Sequence, residues 1–160
     1  MKLDAWEAVL SILEAGGTFQ NEMYACRNSN GAYHREDGPA VVYPDGRFFW
    51  YFNGKLHRAD GPAIIFPCDD IIFPCDERHW YRNGLLHRED GPAIMYSSGN
   101  QRWYRNDKLH RDDGPAITHQ DGEQHWYLNN KRHREDGPAI IYPDGTCYWY
   151  LNNKPVKAFP

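Results

Sequence analysis

His, Arg and Asp stand together five times in this chain, in His34-Arg35-Glu36-Asp37-Gly38-Pro39-Ala40 and again from His57, His87, His110 and His133. An imidazole, a guanidinium and a carboxylate this close could move protons, grip an anion or, through the imidazoles, hold a ladder of metal ions. Catalysis needs one asymmetric constellation whose members have distinct roles and tuned protonation. Here the same trio recurs at every step, and a residue that repeats with the period does what every unit needs. The trio therefore reads first as a corner. Asp bonds its own turn, Arg pairs with a neighbouring Glu or Asp, and His donates to a carbonyl of the adjacent unit. The functional reading of the same residues is a ladder: Arg35, Arg58, Arg88, Arg111 and Arg134, with His57, His87 and His110, would grip an extended anionic ligand or an acidic protein edge. No enzyme, cofactor or resident metal is expected.

The elements that position the trio follow from its spacing. The markers are separated by 23, 30, 23 and 23 residues, so one interval is longer by seven. The excess is visible as Ile64-Ile65-Phe66-Pro67-Cys68-Asp69-Asp70 followed at once by Ile71-Ile72-Phe73-Pro74-Cys75-Asp76-Glu77. Internal repeats of this kind decide the architecture. After Pro-Ala come β-branched and aromatic residues (Val41-Val42-Tyr43, Ile94-Met95-Tyr96, Ile117-Thr118-His119, Ile140-Ile141-Tyr142), which is strand composition. Turns follow at Pro44-Asp45-Gly46, Ser98-Gly99, Asp121-Gly122 and Pro143-Asp144-Gly145. A second strand then carries Trp-Tyr in every unit and ends at Asn53-Gly54, Asn83-Gly84, Asn106-Asp107, Asn129-Asn130 or Asn152-Asn153, which are strong hairpin signals.

The expected fold is mainly β: an elongated antiparallel β-hairpin repeat array, each hairpin advancing the stack by roughly 9–10 Å, with an N-terminal capping helix. A parallel β-helix with one coil per unit is the competing picture, kept open by three turn signals per period. The organisation reads as 1–33, helix and cap; 34–154, five repeats with a duplication at 64–77; and 155–160, a tail. In the cap, Leu3, Trp6, Val9, Leu10 and Leu13 fall on one helical face. Asp4 with Glu7 suggests a capping box, and Gly16-Gly17 a stop. Repeat arrays need covered ends, and Pro155 and Pro160 blunt the last strand.

Adjacent strand residues point to opposite faces, so Trp is expected in the core while Tyr51, Tyr81, Tyr104 and Tyr127 pave the second face as candidate contacts. The duplicated segment breaks the symmetry. It is either a tolerated surface insertion or a protruding apolar loop in which Ile71, Ile72 and Phe73 make contact with a partner.

The chain of 160 residues is 41% apolar with a net charge of −4, its acids and bases interspersed. That balance argues against a surface built to neutralise phosphates or anionic lipid, and nucleic acid is not expected as a partner. Cys26, Cys68, Cys75 and Cys147 show no zinc-ribbon or disulfide spacing and read as reduced thiols. No stretch is long enough to span a bilayer. Met1-Lys2-Leu3-Asp4 lacks a basic leader, so a cytoplasmic location is expected.

The alternation of Asp45-Gly46, Trp50-Tyr51 and Asn53-Gly54-Lys55 resembles the MORN-variant hairpin repeat over residues 34 to 154. Its His-Arg-x-Asp-Gly-Pro-Ala form is similar to repeat proteins of bacteriophages and large DNA viruses. The resemblance implies an antiparallel array used for protein or lipid contacts, with some bacterial relatives acting as antitoxins. The His-Arg-x-Asp-Gly-Pro corner departs from the ordinary repeat, and with the acidic charge it turns the expectation away from lipid. The expected function is a non-enzymatic module presenting a rigid β surface to a protein partner, such as a viral or phage inhibitor acting in the host cytoplasm. The alternative is a sponge for a small anionic ligand or nucleotide in an Arg-, His- and Tyr-lined groove. The sheet edge and the helix each leave a homodimer open.

Overall fold

The structure, a computed structural model, describes residues 5–20, 23–67 and 76–157. It is mainly β with one helix, Ala5–Glu14. Every strand register among the described residues is antiparallel, which sets the parallel β-helix aside. The chain forms two compact units, residues 1–85 and 86–160. No helix among the described residues is long and apolar enough to cross a membrane.

In the first unit Thr18–Gln20, Met23–Ala25, Val41–Val42, Phe48–Phe49, Ile64–Phe66 and Glu77–His79 pair in chain order. Val41 lies opposite Phe49, and Phe49 opposite Ile64. In the second unit Ile94–Met95, Gln101–Arg102, Ile117–Thr118, Gln124–His125, Ile140–Ile141, Cys147–Leu151 and Lys154–Val156 do the same, with Ile117 opposite His125 and His125 opposite Ile140. The β-branched pairs after each Pro-Ala thus form strands, as their composition implies. The first turn of each hairpin closes across three residues: Tyr43 donates its N–H to Arg47 O at 3.0 Å and Gly46 to Tyr43 O at 2.9 Å. Gly46 takes a φ of +85° there, a value that favours glycine.

The Asn-Gly hairpins do not extend this sheet. Trp50, Trp103 and Trp126 interrupt the second strand. The chain beyond each folds into a separate two-stranded ribbon, such as Tyr51–Phe52 with Lys55–Leu56 and Tyr104–Arg105 with Lys108–Leu109. The cause is a change of backbone partner at the tryptophan. Trp50 N–H donates to Ala63 O at 2.8 Å, whereas Trp50 O accepts from His57 N–H at 3.0 Å. One peptide thus joins the next repeat while the following one folds back on its own ribbon. The same switch occurs at Trp103 and Trp126.

The helix covers the first repeat with a different face from the one its leucines suggest. Ala8, Val9 and Ile12 are buried in a cluster with Cys26, Val42, Phe48, Trp50 and Ala63, while Leu10 and Leu13 are 57% and 46% exposed. Gly17 closes the helix by donating to Ile12 O at 2.8 Å. The expected roles of Leu3, Asp4 and the Trp6 side chain lie outside the described residues.

Two strands in the cap, Thr18–Gln20 and Met23–Ala25, were absent from the sequence reading. They belong to a degenerate leading repeat. Cys26 donates to Ala40 O at 2.8 Å and accepts from His34 N–H at 3.2 Å, which is the backbone pattern of Trp50 on a residue too small to be recognised as its equivalent.

Candidate functional site

Each His-Arg-x-Asp-Gly-Pro-Ala corner folds onto itself. Arg35 Nε donates to Asp37 Oδ1 at 2.7 Å, Arg58 to Asp60 and Arg88 to Asp90 at 2.9 Å, and Arg111 to Asp113 and Arg134 to Asp136 at 2.8 Å. The bond and the charge of the guanidinium hold all five carboxyls below the usual carboxylate range. The five Arg are therefore already engaged, and the sequence pairing of Arg with an acid is found at every corner.

The guanidinium also lies over an indole: Arg58 over Trp50 at 4.3 Å, Arg111 over Trp103 at 3.9 Å and Arg134 over Trp126 at 4.2 Å. Stacking of this kind contributes about 0.5–1 kcal/mol or more where it is shielded from water. At the first corner, where Cys26 replaces the tryptophan, Arg35 instead donates to Ser11 Oγ on the helix at 3.1 Å.

The remaining letters of the motif follow from this packing. A Cβ on Gly38, Gly61, Gly91, Gly114 or Gly137 would come within 2.6–3.0 Å of the Arg Cζ. Glycine at these positions leaves the guanidinium in place, whereas a side chain there would make it shift. Ala40, Ala63, Ala93, Ala116 and Ala139 are all fully buried.

Histidine plays a role opposite to the expected one. Its Nδ1 accepts a backbone N–H from the turn of the following ribbon: Asn53 to His34 and Asn83 to His57 at 3.1 Å, Asn129 to His110 and Asn152 to His133 at 3.3 Å. The ribbon turn presents a backbone N–H to the ring at these four corners, and the imidazole accepts it. Nε2 then faces an acid of its own corner, Asp112 at 3.0 Å from His110 and Glu135 at 3.4 Å from His133. His87 bonds through Nδ1 to Asn106 Oδ1 at 2.8 Å.

Successive corners enclose open niches. One of about 530 Å³ is lined by Arg35, Glu36, Asp37, Trp50, Arg58 and Asp60 among others. A second of about 620 Å³ is lined by Arg111, Asp112, Asp113, Arg134, Glu135 and Asp136 with Trp126 and His133. In each the carboxylates outnumber the guanidiniums, three against two and four against two. The Arg side chains are 10–26% exposed and their Asp partners 80–83%, so the acids form the outer rim.

Tyr51, Tyr81, Tyr104 and Tyr127 are half-buried in the ribbons. Tyr51 packs on Tyr33 at 5.4 Å between ring centroids, and Tyr127 Oη accepts from Arg132 Nε at 3.2 Å. Ile71, Ile72 and Phe73 lie outside the described residues. Cys26 is buried and Cys147 half-buried, both free, and burial pushes the Cys26 thiol up.

The sequence reading missed one cluster. His119, Glu123 and His125 bring three potential ligand atoms within 4.8 Å of one another. The only signal was a departure from the repeat, two imidazoles and a carboxylate flanking the Asp121-Gly122 turn. No family model and no curated protein matches this chain.

Proposed function

We propose that the chain is a non-enzymatic binding module whose rigid β-repeat surface receives a protein partner, and that the acidic rim of its corners takes a basic segment of that partner. The observation that carries this reading is the orientation of the corner charges. Arg58, Arg111 and Arg134 lie over an indole and Arg35 against the helix, and all five corner Arg are neutralised by their own Asp, while Glu36, Glu89 and Glu135 beside the pairs are 77%, 74% and 83% exposed. Charge arranged in this way steers a cationic surface and fixes its register more than it adds affinity. A small anion entering either niche would meet more carboxylates than free guanidinium donors, so the charge favours the protein reading over the anionic sponge.

The experiment compares the intact chain with the triple variant Glu36→Gln, Glu89→Gln, Glu135→Gln as bait in a host lysate. Recovery of one basic protein, lost from the variant and weakened by salt, is the expected result. Equal recovery by both baits removes the rim from the site, and nucleotide released on denaturing the purified chain replaces this reading by the sponge.

A further inference from the structure

The fourth repeat carries a chemistry that the described residues of the others lack. His119 and Glu123 face each other across a hairpin mouth, His119 N–H donating to Glu123 O at 2.9 Å and Gly122 N–H to His119 O at 3.0 Å. His125 follows Glu123 by two residues along the strand, so the period of two places their side chains on the same face. His125 Nε2 and Glu123 Oε1 are 2.7 Å apart, and the two imidazole centroids 6.0 Å apart. Both members of the pair are largely shielded, with 13% and 23% of their side-chain surface exposed. Tyr127 stacks on His125 and Tyr142 meets it edge-on, each at 6.4 Å.

A metal shared by Glu123 and His125 would take the Nε2 lone pair that faces Oε1, with the ring proton carried on Nδ1, an atom hydrogen-bonded to nothing else among the described residues. Two imidazoles and a carboxylate are also the donor set of open zinc sites, which take three protein ligands and leave one position free. Tetrahedral ligands about 2.0–2.2 Å from zinc lie roughly 3.4 Å from one another. Ligand atoms already within 4.8 Å reach that spacing by side-chain rotation on a fixed turn.

The repeat supplies its own comparison. The equivalent positions are Tyr43, Arg47 and Phe49; Phe66, Glu77 and His79; Tyr96, Asn100 and Arg102; and Tyr142, Thr146 and Tyr148. His79 Nε2 and Glu77 Oε1 repeat the 2.7 Å contact, but Phe66 stands in the third place, edge-on to His79 at 5.6 Å. The His-Glu pair alone is thus compatible with a purely structural role. What the fourth repeat adds is the third ligand.

We infer that His119, Glu123 and His125 form a binding site for a divalent transition metal of the zinc type, with one coordination position open to water or to a group of a bound partner. The test is calorimetric titration of the chelator-treated full chain with zinc chloride, alongside cobalt(II) as a spectroscopic probe. One equivalent should bind, and visible bands of a four- or five-coordinate cobalt site should appear. His119→Phe, which installs the residue found at Phe66, should weaken binding at least tenfold while the far-ultraviolet circular dichroism is retained. Glu123→Gln provides a second variant with the same expected loss should the first fail to fold, and His79→Gln should leave the single equivalent intact. Absence of a stoichiometric site, binding unaltered by His119→Phe or Glu123→Gln, loss on His79→Gln, or a thiolate-to-cobalt charge-transfer band would each overturn the assignment.

Discussion

His57 Nδ1 accepts the backbone N–H of Asn83 at 3.1 Å, so a corner residue of one repeat holds the turn of the next. His110 does the same for Asn129 at 3.3 Å; both asparagines are exposed, but the His110 ring is only 8% exposed whereas His57 is half-buried. The more deeply buried ring shields its bond to Asn129 from water more than His57 shields its bond to Asn83. His110→Ala is therefore expected to cost about 1–3 kcal/mol, the range for leaving a shielded group unsatisfied, and His57→Ala about 0.5–1.5 kcal/mol. Urea unfolding of the two variants measures the difference; equal costs would mean that the imidazoles act by packing alone.

The corner ion pairs give the fold an acid dependence whose sign is fixed. Asp37, Asp60, Asp90, Asp113 and Asp136 are depressed first by the hydrogen bond from their Arg and then by its charge. A depressed folded-state value means that the stabilisation is complete above the unfolded carboxylate range, about pH 4, and is lost as pH falls through the lower folded values. Because these carboxylates are mostly exposed, each pair contributes little and the signature is collective. The urea midpoint should stay level from pH 7 to about 5 and decline below about pH 4. Replacing the five Asp with Asn should flatten that decline, and an unchanged slope would assign it to other acids.

The period and the turn chemistry carried most of the architecture, because glycine, asparagine and β-branched residues report local backbone geometry directly. The separate ribbons were not legible, since Trp50 occupies strand-compatible sequence and only its two backbone partners, Ala63 and His57, show where the ladder changes hands. The leading repeat was hidden because Cys26 does the backbone work of a tryptophan without its side chain. Leu10 and Leu13 misled the choice of helix face: with Ala8, Val9 and Ile12 sealed against Cys26 and Val42, the short helix leaves them outside the cluster. The metal-type cluster escaped notice because the period drew attention to the five corner histidines, whereas His119 has no equivalent in the other repeats and His125 has one only in His79.

Two glycines outside the left-handed region should respond differently to the same added methyl. In Gly91→Ala the new Cβ meets Arg88 Cζ at 2.6 Å, the far end of a flexible side chain. Arg88 can swing away at the expense of its bond to Asp90, for about 1 kcal/mol. In Gly17→Ala the Cβ meets Ile12 Cγ2 and the carbonyl oxygens of Ile12 and Ala25, the latter two at 2.8 and 2.9 Å. Backbone cannot rotate aside, so the helix must shift from the sheet, at about 1–3 kcal/mol for overpacking. Denaturant titration with helix content followed by circular dichroism separates them. A larger loss for Gly91→Ala would show that the corner, and not the cap, is the stiffer part.

The ribbon turns that lack glycine rest on two separable effects, and Asn130 carries both. Its φ is +65°, which costs an ordinary side chain roughly 1 kcal/mol, and its Oδ1 accepts the N–H of Leu109 at 2.7 Å. The same turn is held by Asn130 N–H donating to Leu109 O at 2.9 Å. Asn130→Gly keeps the backbone conformation and loses the side-chain bond, for about 0.5–1.5 kcal/mol. Asn130→Ala loses the bond and adds the strain, so it should fall below the glycine variant by about a further 1 kcal/mol. Gly84 is the internal reference, a residue of the same turn position with φ +86° and no side chain to bond. If alanine and glycine at 130 prove equally stable, the left-handed conformation is not what selects asparagine, and the bond to Leu109 accounts for the residue alone.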